Sequence, residues 1–388
     1  MDTSLQTLAE RVRAAATDGT TLRIRGGGTK DFYGEAPVGE VLDTRPLAGI
    51  TSYEPSELVV TVRAGTPLDE LEAALAESDQ CLAFEPPRFA SGGTVGGMLS
   101  AGLGGPSRAS VGAVRDHVLG IELLDGRAEL LRFGGTVMKN VAGYDVSRVL
   151  AGALGTLGVV TEVSLKVLPV APAEATLEFE CTQADALRLL NAWGGQPLPL
   201  NASLWRERAG VGYLSLRLRG AVAAVEAACR HLGSERQAPE RTAAAWQSVR
   251  DQQHPWFAEA RDAGQALWRV SVPQTAPVLA LDGEAPWIEW HGGQRWYRRA
   301  AGQSDAAIRA AAKAQGGHAT LFHTPAGGGA HTVPRFEPLA PVLARVQHAL
   351  QLQFDPHCIF DRRRLGAVPA AEAAGHPPHA ATAVSSHH

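Results

Sequence analysis

Four glycine clusters carry the plainest chemistry in this sequence. They are Arg25-Gly26-Gly27-Gly28-Thr29-Lys30, Ser91-Gly92-Gly93-Thr94-Val95-Gly96-Gly97, Gly102-Leu103-Gly104-Gly105 and Gly152-Ala153-Leu154-Gly155-Thr156-Leu157-Gly158. Consecutive glycines bare their backbone N–H groups and admit positive φ, so the main chain can wrap closely round a phosphate. Thr29 and Thr94 add hydroxyl donors, and a helix opening near Thr94 would aim its positive end at the same anion. One Gly-Gly is an ordinary turn, whereas four such loops, one directly after a strand, point to a bound nucleotide. Neither common arrangement fits: no G-x-G-x-x-G is followed by an acid about twenty residues on, and no G-x-x-x-x-G-K-[ST] occurs. A Rossmann domain and a P-loop are not expected.

Two further residues suit anion or proton chemistry. Arg295, with Arg298 nearby, lies in Gly292-Gly293-Gln294-Arg295-Trp296-Tyr297-Arg298-Arg299, and a planar guanidinium suits a carboxylate bidentately. The alternative is a strand arginine held by cation–π contacts to Trp290 and Trp296. His318 is the candidate general base, against the alternative of a satisfied or exposed histidine. His318 and His323 are five apart, which on a strand puts them on opposite faces, so they form no metal pair. Cys81, Cys181, Cys229 and Cys358 are scattered without a C-x-x-C, which fits a reducing cytoplasm and predicts no metal cluster.

The elements that must position these residues follow from pattern. A helix capped near Asp18-Gly19 leads to a strand, Leu22 to Arg25, running into the first glycine loop. A strand at Leu58 to Arg63 precedes Thr66-Pro67-Leu68-Asp69, where Thr66 can cap a helix bearing Leu68, Leu71 and Leu75 on one face. Asp125-Gly126 between Val118 to Leu124 and Ala128 to Phe133 predicts a hairpin. Val159 to Leu168 alternates as a half-buried strand, with Val163, Leu165 and Val167 inward. Further strands are expected at Leu177 to Cys181, Val211 to Arg219, Leu267 to Val272, Trp287 to Trp290 and His318 to His323. Helices are expected at Gln183 to Trp193, Ala221 to His231 and Pro338 to Leu352. Asp145 reads as a helix cap, Tyr144 as packed, and Trp246, Trp256 and Trp268 as core or interface anchors.

Composition sets the outer limits. The 388 residues predict two or three domains, and a hydrophobic share of 45% is ample for a real core. A net charge of −4 gives no basic field for nucleic acid. The best apolar run, Val149 to Thr161, is too short to span a bilayer, and the amphipathic N-terminus does not read as a secretory signal. Residues up to Pro169 hold 24 of the 42 glycines, which marks a change of texture there. The chain divides as 1–170, 171–335, a C-terminal helix and return segment at 336–366, and a disordered tail at 367–388.

The string Val137-Met138-Lys139-Asn140-Val141-Ala142-Gly143-Tyr144-Asp145, followed by Gly155-Thr156-Leu157-Gly158-Val159-Val160-Thr161-Glu162, resembles the flavin domain of the vanillyl-alcohol oxidase/p-cresol methylhydroxylase superfamily. With Arg23-Ile24-Arg25-Gly26-Gly27-Gly28, Trp290 to Trp296 and Gly316 to Phe322, the chain is similar to the family of FAD-binding subunits of bacterial glycolate oxidases. The resemblance implies an α+β fold: a two-part FAD-binding domain of the p-cresol methylhydroxylase type, then an α+β cap domain on an antiparallel sheet. It implies Arg25, Gly26, Gly27, Gly28, Thr29 and Lys30 as the first pyrophosphate cradle, and Thr94, Val95, Gly96 and Gly97 with Ser100 as the second. Asp116 would pass near the cofactor on a strand, and Gly155, Gly158 and Val159 would approach the flavin through backbone. Some relatives attach FAD through a His in the first loop; Gly-Gly-Gly-Thr here implies non-covalent FAD.

The implied activity is oxidation of glycolate or a related small D-2-hydroxy acid to the 2-oxo acid. Such chemistry needs a hydride acceptor, a base for the hydroxyl proton and a cation for the carboxylate; His318 and Arg295 are the candidates for the last two. The implied partners are a second flavin subunit and an iron–sulfur subunit, with membrane contact only through them. Two departures stand out: Leu154 occupies the place of an acid found in catalytic relatives, and Phe360-Asp361-Arg362-Arg363-Arg364-Leu365 replaces an Asn-Pro-Gly turn. Catalytic relatives also hold a divalent metal near the substrate with a histidine pair that is not found in this sequence, and together these departures leave a non-catalytic FAD-binding or assembly subunit as the alternative.

Overall fold

The computed structural model describes residues 2–136, 144–300, 303–324 and 333–366. Lys139, Asn140 and the 367–388 tail therefore lie outside the described residues. Helix α1 (Thr3–Asp18) opens on Asp2, whose carboxylate accepts from the Ser4 amide, and closes on Gly19 at φ 78°. Its Leu5, Leu8, Val12 and Ala15 form one stripe, packed on Leu22, Leu42, Val159 and Phe360. Strand β1 (Leu22–Arg25) pairs in parallel with β2 (Glu40–Asp43), so the chain leaves β1 directly into the first glycine loop.

A five-stranded antiparallel sheet follows, built from β3 (Ile50–Glu54), β4 (Val59–Arg63), β5 (Val118–Leu124), β6 (Leu130–Gly134) and β7 (Val159–Lys166), in the order β3-β4-β7-β5-β6. β5 and β6 make the expected hairpin around Asp125, whose carboxylate accepts from the Arg127 and Glu129 amides. Helices α2 (Leu68–Ala76) and α3 (Val95–Ala101) bury Leu71, Leu75, Met98 and Leu99 against Val62, Val163 and Leu165. Thr66 does not cap α2. Its hydroxyl instead accepts from the Gly49 amide at 2.9 Å, and Pro67 takes the cap position. Tyr144 is 97% exposed, not packed, and Asp145 holds Ser147 and Arg148 just ahead of a short 3₁₀ turn.

The second domain is an eight-stranded antiparallel sheet. Its strands are β8 (Ala173–Glu180), β9 (Leu200–Arg208), β10 (Val211–Gly220), β11 (Ala266–Ser271), β12 (Trp287–Glu289), β13 (Gln294–Arg299) and β14 (His318–His323), with Glu235–Arg236 at one edge. The order from that edge is β8-β10-β9-β12-β13-β11-β14. Helices α4 (Gln183–Gly194) and α5 (Val222–Leu232) cover one face through Leu187, Leu190 and Val225. Helices α6 (Pro239–Arg250) and α7 (Pro255–Asp262) bring Trp246 and Phe257 to the other face, where Leu204, Leu267, Trp287, Trp296 and Phe322 meet Tyr33, Ala101 and Leu103 of the first domain. Helix α8 (Asp305–Ala314) packs at the β14 edge.

Helix α9 (Pro341–Phe354) leads the chain back. The Leu22 amide donates to the Ile359 carbonyl at 2.7 Å, and the Val38 amide donates to the Asp361 carboxylate at 2.6 Å. The C-terminal segment thus closes over β1. Among the described residues, no helix is long and apolar enough to cross a membrane.

Candidate functional site

A solvent-open cleft of about 930 Å³ runs along the C-terminal end of β1. Its first wall is the loop from Arg25 to Lys30; Thr94, Gly96, Gly97 and Ser100 form the second, and Gly155 and Gly158 a third. Two glycines make the first two walls meet. A Cβ on Gly27 would lie 1.6 Å from the Gly92 carbonyl oxygen, and one on Gly26 would lie 2.2 Å from Thr94 Oγ1. No side chain fits between these backbones.

The amides of Gly26, Gly27, Gly28, Thr29 and Lys30 donate to no protein acceptor among the described residues. Five consecutive N–H groups without partners, beside an open cleft, form a ready anion cradle. Cationic side chains stand next to them. Lys30 is only 9% exposed; its ammonium lies 3.5 Å from Thr29 Oγ1 and 5.7 Å over the Phe89 ring. Burial lowers its pKa to about 8, against the opposing charge of Asp251. Arg23 lines the cleft with its Nε buried and unpartnered. Arg25 is held by Asp31 at 2.7 Å, folded over Gly28. An orphaned guanidinium nitrogen, a desolvated ammonium and a row of open amides fit a diphosphate.

The second wall works differently from the expected cradle. The Val95 amide donates to the Thr66 carbonyl at 3.0 Å, Gly96 to Ala64 at 2.7 Å, and Gly97 to Thr94 Oγ1 at 3.2 Å. Those amides are engaged within the protein, so Gly96, Gly97 and Ser100 serve as small surface, and Val95 is buried behind them. Val159 turns its side chain to the α1 core, and strand alternation presents Gly158 and Val160 to the cleft. Asp116 is not on a strand. It sits in the helical turn Val114–His117, accepts from the Ala113 amide at 2.8 Å, and lies outside the cleft wall.

Neither residue expected to do the chemistry borders the cleft. Arg295 is fully buried on the far face of β13, donating to the carbonyls of Gly292 at 3.0 Å, Pro277 at 2.5 Å and Ala276 at 2.6 Å. With its fork filled by backbone, it is a structural arginine and not a carboxylate clamp. Arg298 pairs with Glu259 and Glu284 and stacks on Trp256. His318 opens β14 opposite Ser271, diagonal to Arg269; partial burial and then the Arg269 charge lower its pKa. It lines neither the cleft nor the cavity beside it.

Several wall residues were not singled out from sequence, Arg23, Asp361 and Arg364 among them. Arg23 sits two residues before Arg25, a loop position that was. Asp361 and Arg364 come from the departing Phe360-to-Leu365 stretch, and Arg364 reaches the Tyr33 and Glu35 carbonyls. Only the fold brings that stretch beside β1.

Comparison with known proteins gives a consistent set of likenesses. The FAD binding domain family matches residues 3–134. Glycolate oxidase subunit GlcE of Escherichia coli (strain K12) is 42% identical over 360 residues, 93% of this chain and 97% of that protein. Glycolate oxidase subunit GlcD of Bacillus subtilis (strain 168) is 34% identical over 158 residues, 39% of this chain and 33% of that one. A D-lactate dehydrogenase of Archaeoglobus fulgidus is 31% identical over 191 residues, covering 48% and 42%. Among solved structures, an alkyldihydroxyacetonephosphate synthase aligns at a TM-score of 0.62 and 16% identity, over 91% of this chain and 73% of that chain. That last likeness concerns the fold alone.

Proposed function

The chain belongs to the glycolate oxidase subunit GlcE family of FAD-linked oxidoreductases, and from that premise we propose that it is the FAD-binding subunit of a glycolate oxidase complex. The complex would oxidise glycolate or a related small D-2-hydroxy acid to the 2-oxo acid, with electrons passing to an iron–sulfur subunit beside a second flavin subunit. This chain would stay in the cytoplasm and touch a membrane only through those partners.

The observation that carries the reading is the row of unpartnered amides from Gly26 to Lys30, with Arg23 and Lys30 at its ends. These groups would hold the diphosphate. The first loop offers glycine and threonine where some relatives carry an attaching histidine, so FAD would be held without a covalent bond. FAD, when bound, supplies the acceptor for a hydride from the substrate carbon. The C-terminal Asp361–Arg364 segment would limit water over the site.

A second reading has its own support: neither Arg295 nor His318 borders the cleft, and Leu154 lines it where catalytic relatives carry an acid. The chain would then bind FAD without oxidising substrate itself. Purification of the full chain decides between them. A yellow protein whose flavin is released by acid precipitation supports non-covalent FAD; no flavin uptake overturns the main reading. Stopped-flow anaerobic reduction by glycolate, on the chain alone and in the assembled complex, then separates the two readings.

A further inference from the structure

Helix α9 carries one apolar stripe, Leu343, Val346, Leu350 and Phe354, recurring at spacings of three and four. The C-terminal half of the stripe is covered: Phe354 is buried in the first domain's core, and Leu350 packs against the same cluster. The N-terminal half runs past that core. Leu339, Val342, Leu343 and Val346 are 46%, 60%, 57% and 62% exposed, so four of the ten large apolar side chains exposed among the described residues fall within eight positions. Single exposed apolar residues are ordinary, whereas a contiguous patch of them marks a surface made to be covered.

The stripe borders a groove between α9 and the C-terminal return segment, lined by Phe336, Leu339, Gln351, Arg362 and Leu365. Gln351 is 5% exposed with its Nε2 buried and unpartnered, and Arg362 Nη1 is in the same state. Two donors in an apolar surface are costly until a covering chain brings acceptors. The charge of this face is one-sided. No acidic residue occurs from Pro338 to Phe354, and Arg345, one helical turn from Val342, pairs with no carboxylate among the described residues. The same short segment walls both the groove and the cleft, since Arg362 and Leu365 line the groove while Asp361 and Arg364 line the cleft. Whatever sits on α9 is therefore one turn of chain from the proposed flavin site.

We propose that α9 is the docking surface for the iron–sulfur subunit, which covers Val342, Leu343 and Val346 with an amphipathic segment carrying carboxylates toward Arg345 and Arg362. The assignment rests on reading the chain as a subunit of a glycolate oxidase complex. Nearness of the groove to the cleft favours the electron-accepting subunit over the second flavin subunit. A second copy of this chain would bring the same acid-free, arginine-bearing face against itself, without charge complementarity. A bilayer surface fits less well, since α9 has one arginine and no lysine where a membrane-surface helix carries many cations.

The test co-expresses the full chain with the other subunits and captures the complex through a tag on the iron–sulfur subunit. Val346→Glu and Leu343→Glu should each lower the amount of this chain recovered by roughly tenfold or more, because a buried charge would face the partner's apolar side. Val346→Ile should recover native amounts, as should Val222→Glu, an equally exposed position at the start of α5. Arg345→Glu should cost several-fold, a loss that shrinks as salt rises. The substituted side chains are exposed, so the isolated variants should keep the native urea midpoint and flavin content, which separates lost docking from lost folding. Native recovery of Val346→Glu and Leu343→Glu overturns the proposal, as does loss of the second flavin subunit alone. Three results would give the face to another occupant and overturn it equally. They are a dimer of the isolated chain, or its adsorption to phosphatidylglycerol vesicles, that Val346→Glu abolishes, and hydrogen-exchange protection of residues 339–346 that deletion of residues 367–388 removes. A native chain not recovered with the iron–sulfur subunit removes the complex reading and the docking site together. A native complex that tolerates every substitution leaves that reading standing and removes the docking site alone.

Discussion

Glu85 of the first domain receives Arg217 of the second across its whole carboxylate, with Arg217 Nη2 at 2.8 Å from one oxygen and 2.7 Å from the other. The Ser107 amide donates to the same group at 3.0 Å, and Arg217 Nε donates to Asn201 at 2.6 Å. Burial alone would raise the Glu85 pKa, but the Arg217 and Arg219 charges outweigh it and the pKa is lowered. Glu85→Gln leaves a buried guanidinium uncompensated, at a cost of about 3 kcal/mol or more. A carboxyl whose pKa is depressed by folding stabilises above its unfolded pKa and loses that contribution as pH falls through its folded one. Urea midpoints of the two chains should therefore differ widely at pH 7 and converge in acid. Equal midpoints at pH 7 would remove this pair as the tie between the domains.

The glycine loop gives a sharper test. A Cβ at Gly27 would meet the Gly92 carbonyl oxygen, which is backbone and cannot rotate away. Gly27→Ala should force the first two cleft walls apart, leaving a folded chain that purifies without flavin. Gly194→Ala, at a position with nothing within 4 Å, serves as the control and should keep its flavin. The ratio of visible to ultraviolet absorbance after desalting reads both. A yellow Gly27→Ala chain would mean that the approach of the loops is not what forms the site.

What the sequence made legible was local. The Gly19 end of the first helix, the Asp125 hairpin and the Val163-Leu165-Val167 stripe depend on residues close in the chain, and the elements form where pattern puts them. β9 was not legible because Asn201 to Trp205 are all buried; a central strand covered on both faces shows no alternation. In the site, the first loop was readable from glycine alone. The engagement of the second loop's amides depends on Ala64 and Thr66, some thirty residues earlier. Arg295 misled for a related reason: a guanidinium looks the same in sequence whether it meets a ligand or three backbone carbonyls.

Lys30 should trade stability for affinity. Its folded pKa of about 8 lies below the unfolded 10.5, so the flavin-free fold carries a destabilising charge below about pH 8 and recovers stability as pH rises toward 10.5. The gap corresponds to about 3 kcal/mol. Lys30→Met should raise the Tm of the flavin-free protein at pH 7, abolish that alkaline gain, and weaken FAD binding by roughly tenfold or more. Native affinity for FAD should itself decline above about pH 8, where the ammonium loses its proton. Unchanged FAD affinity in Lys30→Met at pH 7 would exclude the amine from the cradle.

Glu289 makes the complementary prediction on the second domain. The residue is 4% exposed, and its Oε1 accepts from Trp287 Nε1 at 3.0 Å and Trp296 Nε1 at 2.9 Å. Burial nevertheless pushes the carboxyl up to about 7 from 4.5, the indole donors offsetting only part of the shift. With the folded pKa above the unfolded one, its contribution is complete below about pH 4.5 and is lost as pH rises through about 7, a swing of about 3 kcal/mol. Glu289→Gln keeps an oxygen for both indoles and has no proton to lose. The variant's guanidinium midpoint relative to the native chain should therefore climb between about pH 4.5 and pH 7 and level off above that. Taking the difference between the two proteins cancels the titration of Glu85 and every other shared group. A flat difference across that range would mean that solvent or a neighbouring cation already neutralises the carboxylate, and that the two indoles are not facing a protonatable group.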